Sequence, residues 1–428
     1  MAQVETGPSV APRGVAVGAG AAQANGGSYN AAVSAHGRYV VFESTASNLV
    51  AGDTNDDSDV FVRNRVRDVT RRVSVGKDGA QGNSGSFDPA VSADGRYVAF
   101  HSYASNLVAG DTNRAPDVFV RDRVRHVTRR VSVGAGGAQA NSASIRPAVS
   151  ADGRYVAFDS HASNLVAGDT NRTTDVFVRD RVRHVTRRVS VGAGGAQANH
   201  ASTGAAVSAD GRYVAFHSLA SNLVAGDTNG HLDVFVRDRV RHVTRRVSVG
   251  AGGAQANTDS YEPAVSADGR YVAFRSYASN LVAGDTNGAP DVFVRDRVRH
   301  VTRRVSVGAG GAQANAHSYS PAVSAHGRYV AFSSDASNLV AGDTNRRLDV
   351  FVRDRVRHVT RRVSVGAGGA EANRNSHEPA VSAHGRYVAF HSLASNLVAG
   401  DTNVATDVFV RDRVRHVTRR VTVADPTS

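Results

Sequence analysis

Acidic and amide side chains recur at a fixed spacing along the chain, and they are the residues with the clearest potential for chemistry. They are Asp53, Asn55 and Asp59 in one copy and Asp111, Asn113 and Asp117 in the next, with equivalents in later copies. Closely spaced oxygen ligands are what calcium takes from proteins, commonly about six to eight of them. The spacing is shorter than in an EF-hand loop, and turns in which Asp and Asn bond their own backbone explain the pattern as well. The sequence leaves both readings open, and it suggests no cofactor other than calcium.

Carboxylates that differ from copy to copy form a second candidate set. They are Glu43, Asp88, Asp159, Glu262, Asp335 and Glu378. Two carboxyl groups about 5 to 9.5 Å apart could serve a glycoside hydrolase if they met at a central mouth. The sequence does not give that distance, and Ser, His and Asp recur too often for any triad to stand out. We therefore predict no catalytic residue and expect a protein that is not an enzyme.

Basic residues are the third repeated feature, since Lys and Arg total 51 against 38 Asp and Glu, a formal net charge of +13. One copy carries Arg121, Arg123, Arg125, Arg129 and Arg130, and histidines recur in the same segment at His126, His184, His242, His300, His358 and His416. Surfaces that bind single-stranded nucleic acid combine such charges with aromatic residues that stack on bases, and this segment lacks them. Charge that is repeated evenly around a protein is typical of surfaces that keep it soluble and of strand edges that are protected from pairing with other chains. Nucleic acid is therefore not an expected partner, and the histidines are interpreted as solvated turn residues.

All of these residues belong to one unit that the chain repeats. The segment DVFVR begins seven times, each time 58 residues after the last, at Asp59, Asp117, Asp175, Asp233, Asp291, Asp349 and Asp407. So regular a repeat indicates a supersecondary unit that buries its apolar face only against its neighbours. The composition, 41% hydrophobic with no cysteine, suits such a globular chain and excludes thiol chemistry and disulfides.

The sequence of one unit predicts four strands. In the second copy, Pro89–Ser92 is a run of small residues, Asp94-Gly95 is a favoured hairpin turn, and two continuous apolar runs follow in Arg96–Phe100 and Asp117–Val120. The last segment, Val127–Val133, alternates as a half-exposed edge strand does. We predict an all-β protein, a seven-bladed β-propeller of four-stranded antiparallel blades built from 58-residue repeats.

The predicted domain organisation is a single ring. A flexible leader over 1–12 precedes the propeller at 13–428, with blades near 26–83, 84–141, 142–199, 200–257, 258–315, 316–373 and 374–428. Residues 13–25 resemble a fourth strand and its linker, so they form an extra outer-strand segment where the ring closes. We expect the C-terminal copy to keep its hairpin and the leader copy to pair outside it or fray.

The repeats also resemble a known family. PAVSADGRYVAF is similar to the Ser-Pro-Asp-Gly-centred repeat of TolB-like, WD-repeat-type propellers, with Ala at the Pro position. SNLVAGDTN…DVFVRD, followed by RVSV and a Gln-Ala-Asn linker, resembles a bacterial group of TolB-like repeat proteins whose members mostly have no assigned activity. The resemblance covers essentially the whole chain. It implies a binding or scaffolding propeller and supplies no catalytic residues.

The positions at which the copies disagree are concentrated at one end of the predicted blades, and the opposite face is almost invariant. They precede the first strand, flank the end of the second and precede the third, so they share one face of the disc. Variation confined to one face is typical of a recognition surface, although tight turns and recent duplication would also keep the other face constant. The predicted ligand-binding residues are Tyr29, Phe87, Tyr103, Tyr261, Tyr277 and Tyr319, with His101, His217 and His391.

We therefore expect a non-catalytic binding or scaffold propeller that recognises a protein or glycan, most simply as a monomer. The alternatives are a calcium-stabilised structural repeat protein and a glycoside hydrolase with acids at the central mouth. No apolar run reaches the roughly 20 residues that span a bilayer. The first residues lack a secretory signal, so the compartment stays open: secreted or periplasmic if a leader had been removed, cytoplasmic otherwise.

Overall fold

The chain folds into seven four-stranded antiparallel sheets, each made of four strands that are consecutive in sequence. The structure is a computed structural model, and it describes residues 22–425. The first strands of neighbouring blades contact one another around the centre, and the first blade also contacts the last. The predicted seven-bladed β-propeller is confirmed.

The strand boundaries repeat from blade to blade. The first three blades contain β1 (Ser28–Val33), β2 (Tyr39–Ser44), β3 (Asp59–Asn64) and β4 (Val69–Arg72); β5 (Ser86–Val91), β6 (Tyr97–Ser102), β7 (Asp117–Asp122) and β8 (Val127–Arg130); and β9 (Ser144–Val149), β10 (Tyr155–Ser160), β11 (Asp175–Asp180) and β12 (Val185–Arg188). The next two contain β13 (Ser202–Val207), β14 (Tyr213–Ser218), β15 (Asp233–Asp238) and β16 (Val243–Arg246); and β17 (Ser260–Val265), β18 (Tyr271–Ser276), β19 (Asp291–Asp296) and β20 (Val301–Arg304). The last two contain β21 (Ser318–Val323), β22 (Tyr329–Ser334), β23 (Asp349–Asp354) and β24 (Val359–Arg362); and β25 (Ser376–Val381), β26 (Tyr387–Ser392), β27 (Asp407–Asp412) and β28 (Val417–Arg420). Single turns of 3₁₀ helix link the blades at Lys77–Gly79, Ala135–Gly137, Ala193–Gly195, Ala251–Gly253, Ala309–Gly311 and Ala367–Gly369.

The core lies between neighbouring blades and not within any one of them. Val118 and Val120 of the second blade pack with Phe158 and Phe177 of the third, and all four side chains are fully buried. Each such cluster removes a Phe pair and several Val side chains from water, and each large apolar side chain contributes about 1.5 to 3 kcal/mol. The second and third strands are therefore apolar on both faces, whereas the fourth strand is half-exposed.

The turns between the first two strands of the blades form a closed backbone ring at one end of the channel. Ala35 N donates to Ala93 O at 3.1 Å, and the same bond recurs from blade to blade until Ala383 N donates to Ala35 O at 3.0 Å. Glycine is required in these turns: Gly95 has φ +76°, and a Cβ there would overlap the ring of Tyr39 in the neighbouring blade. Seven bonds of this kind hold the blades at a fixed spacing around the axis.

Much of the repeated basic charge is paired within the protein. The Arg123 guanidinium lies 4.5 Å from the ring centre of Tyr39 in the preceding blade. Within the second blade, Arg96 makes a bidentate pair with Asp122 at 3.0 and 2.8 Å. Such stacked and bidentate arginines fasten strands and blades to one another, so these side chains have structural partners already.

The N-terminal linker closes the ring. Gln23 forms an antiparallel bridge to Val423, as Gln81 does to Val75 and as the other internal linkers do. The C-terminal strand β28 pairs with β27 in the same register as the outer strands of the other blades. The predicted outer-strand copy in residues 13–18 lies outside the described residues.

Candidate functional site

Two rings of side chains that vary between blades meet at the end of the channel opposite the backbone ring, and together we call them the axial cup. Its wall is the fifth residue of each second strand: Glu43, His101, Asp159, His217, Arg275, Ser333 and His391. Its mouth is the residue at the bulge of each first strand: Asn30, Asp88, Arg146, Gly204, Glu262, Ser320 and Glu378. The bulge residues all have positive φ, between 47° and 70°, although only one of them is glycine. A bulge re-aims a side chain, and here it recurs in every blade.

The wall residues are polar where the rest of the second strand is apolar, and they are mostly buried. Asp159 is 0% exposed, Ser333 1% and His101 8%. Six of the seven keep a buried polar atom with no hydrogen-bond partner among residues 22–425: His101 Nδ1, Asp159 Oδ1, His217 Nδ1, Arg275 Nε, Ser333 Oγ and His391 Nδ1. Each such atom costs about 1 to 3 kcal/mol, so six of them rival the about 5 to 15 kcal/mol that stabilises a typical protein.

Two carboxyl groups of the wall have a pKa near neutral pH. Glu43 accepts bonds from Asn30 Nδ2 at 3.0 Å and from Asp88 N at 2.8 Å, and Asp159 accepts one from Gly204 N at 2.9 Å. Burial raises the pKa of Glu43 to about 7 and that of Asp159 also to about 7. Because removal from water disfavours the charged form more than these bonds favour it, both groups can exchange a proton at physiological pH.

The wall histidines are uncharged at that pH. Burial lowers the pKa of His217 to about 4 and that of His391 to about 3, and it also lowers the pKa of His101. Arg146 at the mouth adds to the effect on His101 and His217 and partly offsets the burial of Asp159. The Arg146 side chain is exposed and makes no hydrogen bond or ion pair with the described residues, and its positive charge acts on the Asp159 carboxyl group and on the imidazoles of His101 and His217.

The opposite side of the cup is more aromatic. The Arg275 guanidinium lies 4.8 Å from the ring centre of Tyr261 and 4.5 Å from that of Tyr319, and it pairs with Glu262 at 3.4 Å. A cavity of about 570 Å³ opens here, lined by Arg275, Ser333, Tyr319, Ser320, Asp335, Arg346, Arg347, Leu348, Asn375, His377 and Glu378. This volume suits a small molecule.

The nine predicted ligand-binding residues come together at the same end of the molecule. Tyr29, Tyr103 and Tyr277 are 40%, 55% and 42% exposed. Others stack on the wall: the ring centres of Phe87 and His101 are 5.6 Å apart. Their direct contact with a ligand stays a prediction.

Sequence reasoning did not single out Arg146 or Ser333, and it named Glu43 and Asp159 among acids that could meet at a central mouth without predicting their burial. The signal was present, because a single variable residue sits between Phe and Ser in otherwise constant strands. Alternation along a strand directs that residue to the face opposite the Phe. Its burial was not visible in one copy alone.

The repeated Asp and Asn side chains are held in a network of their own. Asp117 accepts bonds from Ser132 Oγ and from Gln139 Nε2 at 3.1 Å, and Arg130 lies 3.6 Å away. Asn113 Oδ1 accepts a bond from Ala115 N at 3.1 Å, as in an Asx turn. No three His, Cys, Asp or Glu side chains in residues 22–425 are arranged to hold a metal ion as they stand. Calcium binding by Asp53, Asn55, Asp59 and their equivalents stays a prediction.

Comparison with known proteins identifies the fold. No protein-family model matches this chain, and no curated protein matches it. The β-propeller domain of the Trilobed protease from Pyrococcus furiosus is similar with a TM-score of 0.55, 9% identity and coverage of 93% of this chain and 98% of that one. An oligogalacturonate lyase solved in complex with manganese has a TM-score of 0.52, 12% identity and coverage of 90% of each chain. TolB from Acinetobacter baumannii has a TM-score of 0.42, 14% identity and coverage of 91% and 82%.

These similarities confirm the β-propeller fold and correct one prediction. The expected non-catalytic binding or scaffold role for the whole chain is wrong as an inference from this fold, since similar propellers belong to a protease and a lyase. They decide neither for nor against catalysis in this chain. No helix in residues 22–425 is long and apolar enough to cross a membrane.

Proposed function

We propose that the axial cup is an active site that carries out general acid–base chemistry on a small anionic substrate. The observation that carries this proposal is the buried wall, in which six of seven blades present a polar atom without a hydrogen-bond partner among residues 22–425. Backbone strain and buried polar atoms without hydrogen bonds lower stability, and both are typical of functional sites. The variable residues are also asymmetric around the ring, as one reaction centre requires and a sevenfold scaffold does not.

Each group in one sector of the cup suits a role. Arg146 is placed to bind a carboxylate or phosphate group of the substrate, because it stands exposed at the mouth and makes no hydrogen bond or ion pair with the described residues. Asp159, one strand away in the same blade, can take or return a proton next to that anion. His101 and His217, from the two neighbouring blades, provide uncharged imidazoles on either side.

The architecture supports a small substrate. The backbone ring of alanines narrows the far end of the channel, so access is from the variable face. The similarity to the oligogalacturonate lyase covers 90% of this chain and 90% of the lyase chain. This coverage supports the idea that a propeller without a second domain can hold a reaction centre. The chemistry proposed here still comes from the residues of the cup.

The test is turnover of a panel of hydroxy acids, dicarboxylates, sugar acids and phosphate monoesters by the purified chain. We expect at least one compound to be converted and Asp159→Asn to lower kcat by about a hundredfold or more. Arg146→Gln should raise KM by about tenfold or more, since a bond to a charged group is lost.

Two matched variants serve as controls. Arg172→Gln changes an exposed arginine of the same blade, and Asp57→Asn changes an exposed aspartate outside the cup. Both should retain wild-type kinetics. Absence of turnover across the panel, or equal kinetics for Asp159→Asn and Asp57→Asn, would overturn the proposal.

A further inference from the structure

The turns at the far end of the channel differ between blades in one respect. Their first residue is Asp in four consecutive blades, at Asp94, Asp152, Asp210 and Asp268, and His in the other three, at His36, His326 and His384. Because Ala383 N bonds to Ala35 O and closes the ring, the three histidine blades are neighbours. The substitution therefore occupies one continuous sector of the disc.

Folding does not explain this sector. In the aspartate blades the carboxylate stabilises its own turn: Asp94 accepts bonds from Ser92 Oγ at 2.6 Å and from Arg96 N at 2.9 Å. His36, His326 and His384 make no hydrogen bond or ion pair with the described residues. Three neighbouring turns thus forgo a local bond that is worth about 0.5 to 1.5 kcal/mol each.

The histidines are close together on a rigid support. The ring centres of His36 and His384 are 6.0 Å apart, and those of His384 and His326 are 6.5 Å apart. Two imidazoles that share one zinc ion, with Zn–N bonds of about 2.0 to 2.1 Å, have ring centres about 5 Å apart. All three side chains are exposed, so rotation about their side-chain bonds can bring His36 and His326 towards His384, which lies between them, while the backbone ring fixes their starting points.

We propose that His36, His326 and His384 form a three-histidine site for a divalent transition-metal ion at the end of the channel opposite the axial cup. Imidazole nitrogen is the side-chain donor that zinc, nickel and copper favour over calcium and magnesium. Water would complete the coordination. The site is independent of the proposed acid–base chemistry and of the repeated Asp and Asn network.

The experiment is calorimetric titration of the full chain with ZnCl₂ and with NiCl₂, with the visible absorption of bound Co²⁺ as a second readout. We expect one saturable site per chain. His384→Asn, which removes the central ligand, should weaken binding at least about tenfold and abolish the Co²⁺ spectrum.

Two further variants keep the test decisive. The triple change His36→Asp, His326→Asp and His384→Asp gives these blades the residue of the other four, so it should fold and lose the site. His242→Asn alters one of the six hairpin histidines and should bind as the wild type does. The proposal is overturned if no saturable site is found, if the His384→Asn variant binds equally, or if the His242→Asn variant alone loses the metal.

Discussion

Replacing Asp159 with Asn is expected to stabilise the protein at pH 8, by about 4 kcal/mol in the free energy of unfolding, while it removes the proposed activity. The carboxyl group is completely buried, and burial raises its pKa from 3.8 to about 7. Each unit of such a shift corresponds to about 1.4 kcal/mol. The folded state therefore holds a proton that the unfolded state releases between these pH values.

The sign of the pH dependence follows from that difference. Since the folded protein binds more protons than the unfolded chain between pH 4 and pH 7, the wild type loses stability as the pH rises through this window. The Asn variant lacks this loss, so the difference between the two proteins should be small near pH 4 and largest above pH 7. Urea denaturation at pH 4.5 and pH 8 measures it, with Asp57→Asn as the control. An Asp159→Asn variant that is less stable than the wild type at pH 8 would show that the carboxylate is accommodated without cost.

The second large effect concerns ring closure. Gln23 Nε2 donates to Asp401 Oδ1 at 2.7 Å, and Asn25 Nδ2 donates to Ser47 Oγ at 2.9 Å. An internal linker makes the same contacts at Gln197 and Asn199, with Asp169 at 2.9 Å and Ser221 at 2.9 Å. The difference is that blades joined by an internal linker are also joined covalently, whereas the first and last blades are not.

We therefore expect unequal effects from identical changes. The Gln23→Ala/Asn25→Ala variant should lose about 3 kcal/mol or more of stability, because it loses the bond of Gln23 to the last blade and the bond of Asn25 that holds the linker against the first blade, so the ring can open. The Gln197→Ala/Asn199→Ala variant should lose less, since opening there is prevented by the chain itself. Hydrogen exchange of β1 and β27 checks the mechanism, with faster exchange expected only in the first variant. Equal losses for the two variants would show that the contacts matter but closure does not.

The architecture was largely predictable from repetition. The 58-residue period, the Asp-Gly turns and the two apolar runs indicated four strands per blade, and the structure has them in every blade. The placement of the three main sets of variable positions at one end followed from antiparallel pairing, as the register of Ser28 with Ser44 and of Ser44 with Asp59 shows. Such features are local, so one unit determines them.

The axial cup was less predictable because it depends on the whole ring. Arg146 reaches the mouth through a bulge with positive φ, 51°, which no glycine marks in its own copy. The burial of Glu43 and Asp159 arises from contact with Asp88 and Gly204 of the neighbouring blades. A single repeat shows that these residues vary, but their removal from water appears only when seven copies surround an axis.

The most direct measurement of the central idea, that the cup holds a group ready to exchange a proton at neutral pH, is ¹³C NMR of protein labelled at the Asp side-chain carboxyl carbons. Resonances are followed from pH 4 to pH 9 in the wild type and in Asp159→Asn. We predict that the resonance missing from the variant titrates in the wild type with a midpoint near pH 7. A midpoint below about pH 5, the range of ordinary aspartates, would contradict the account.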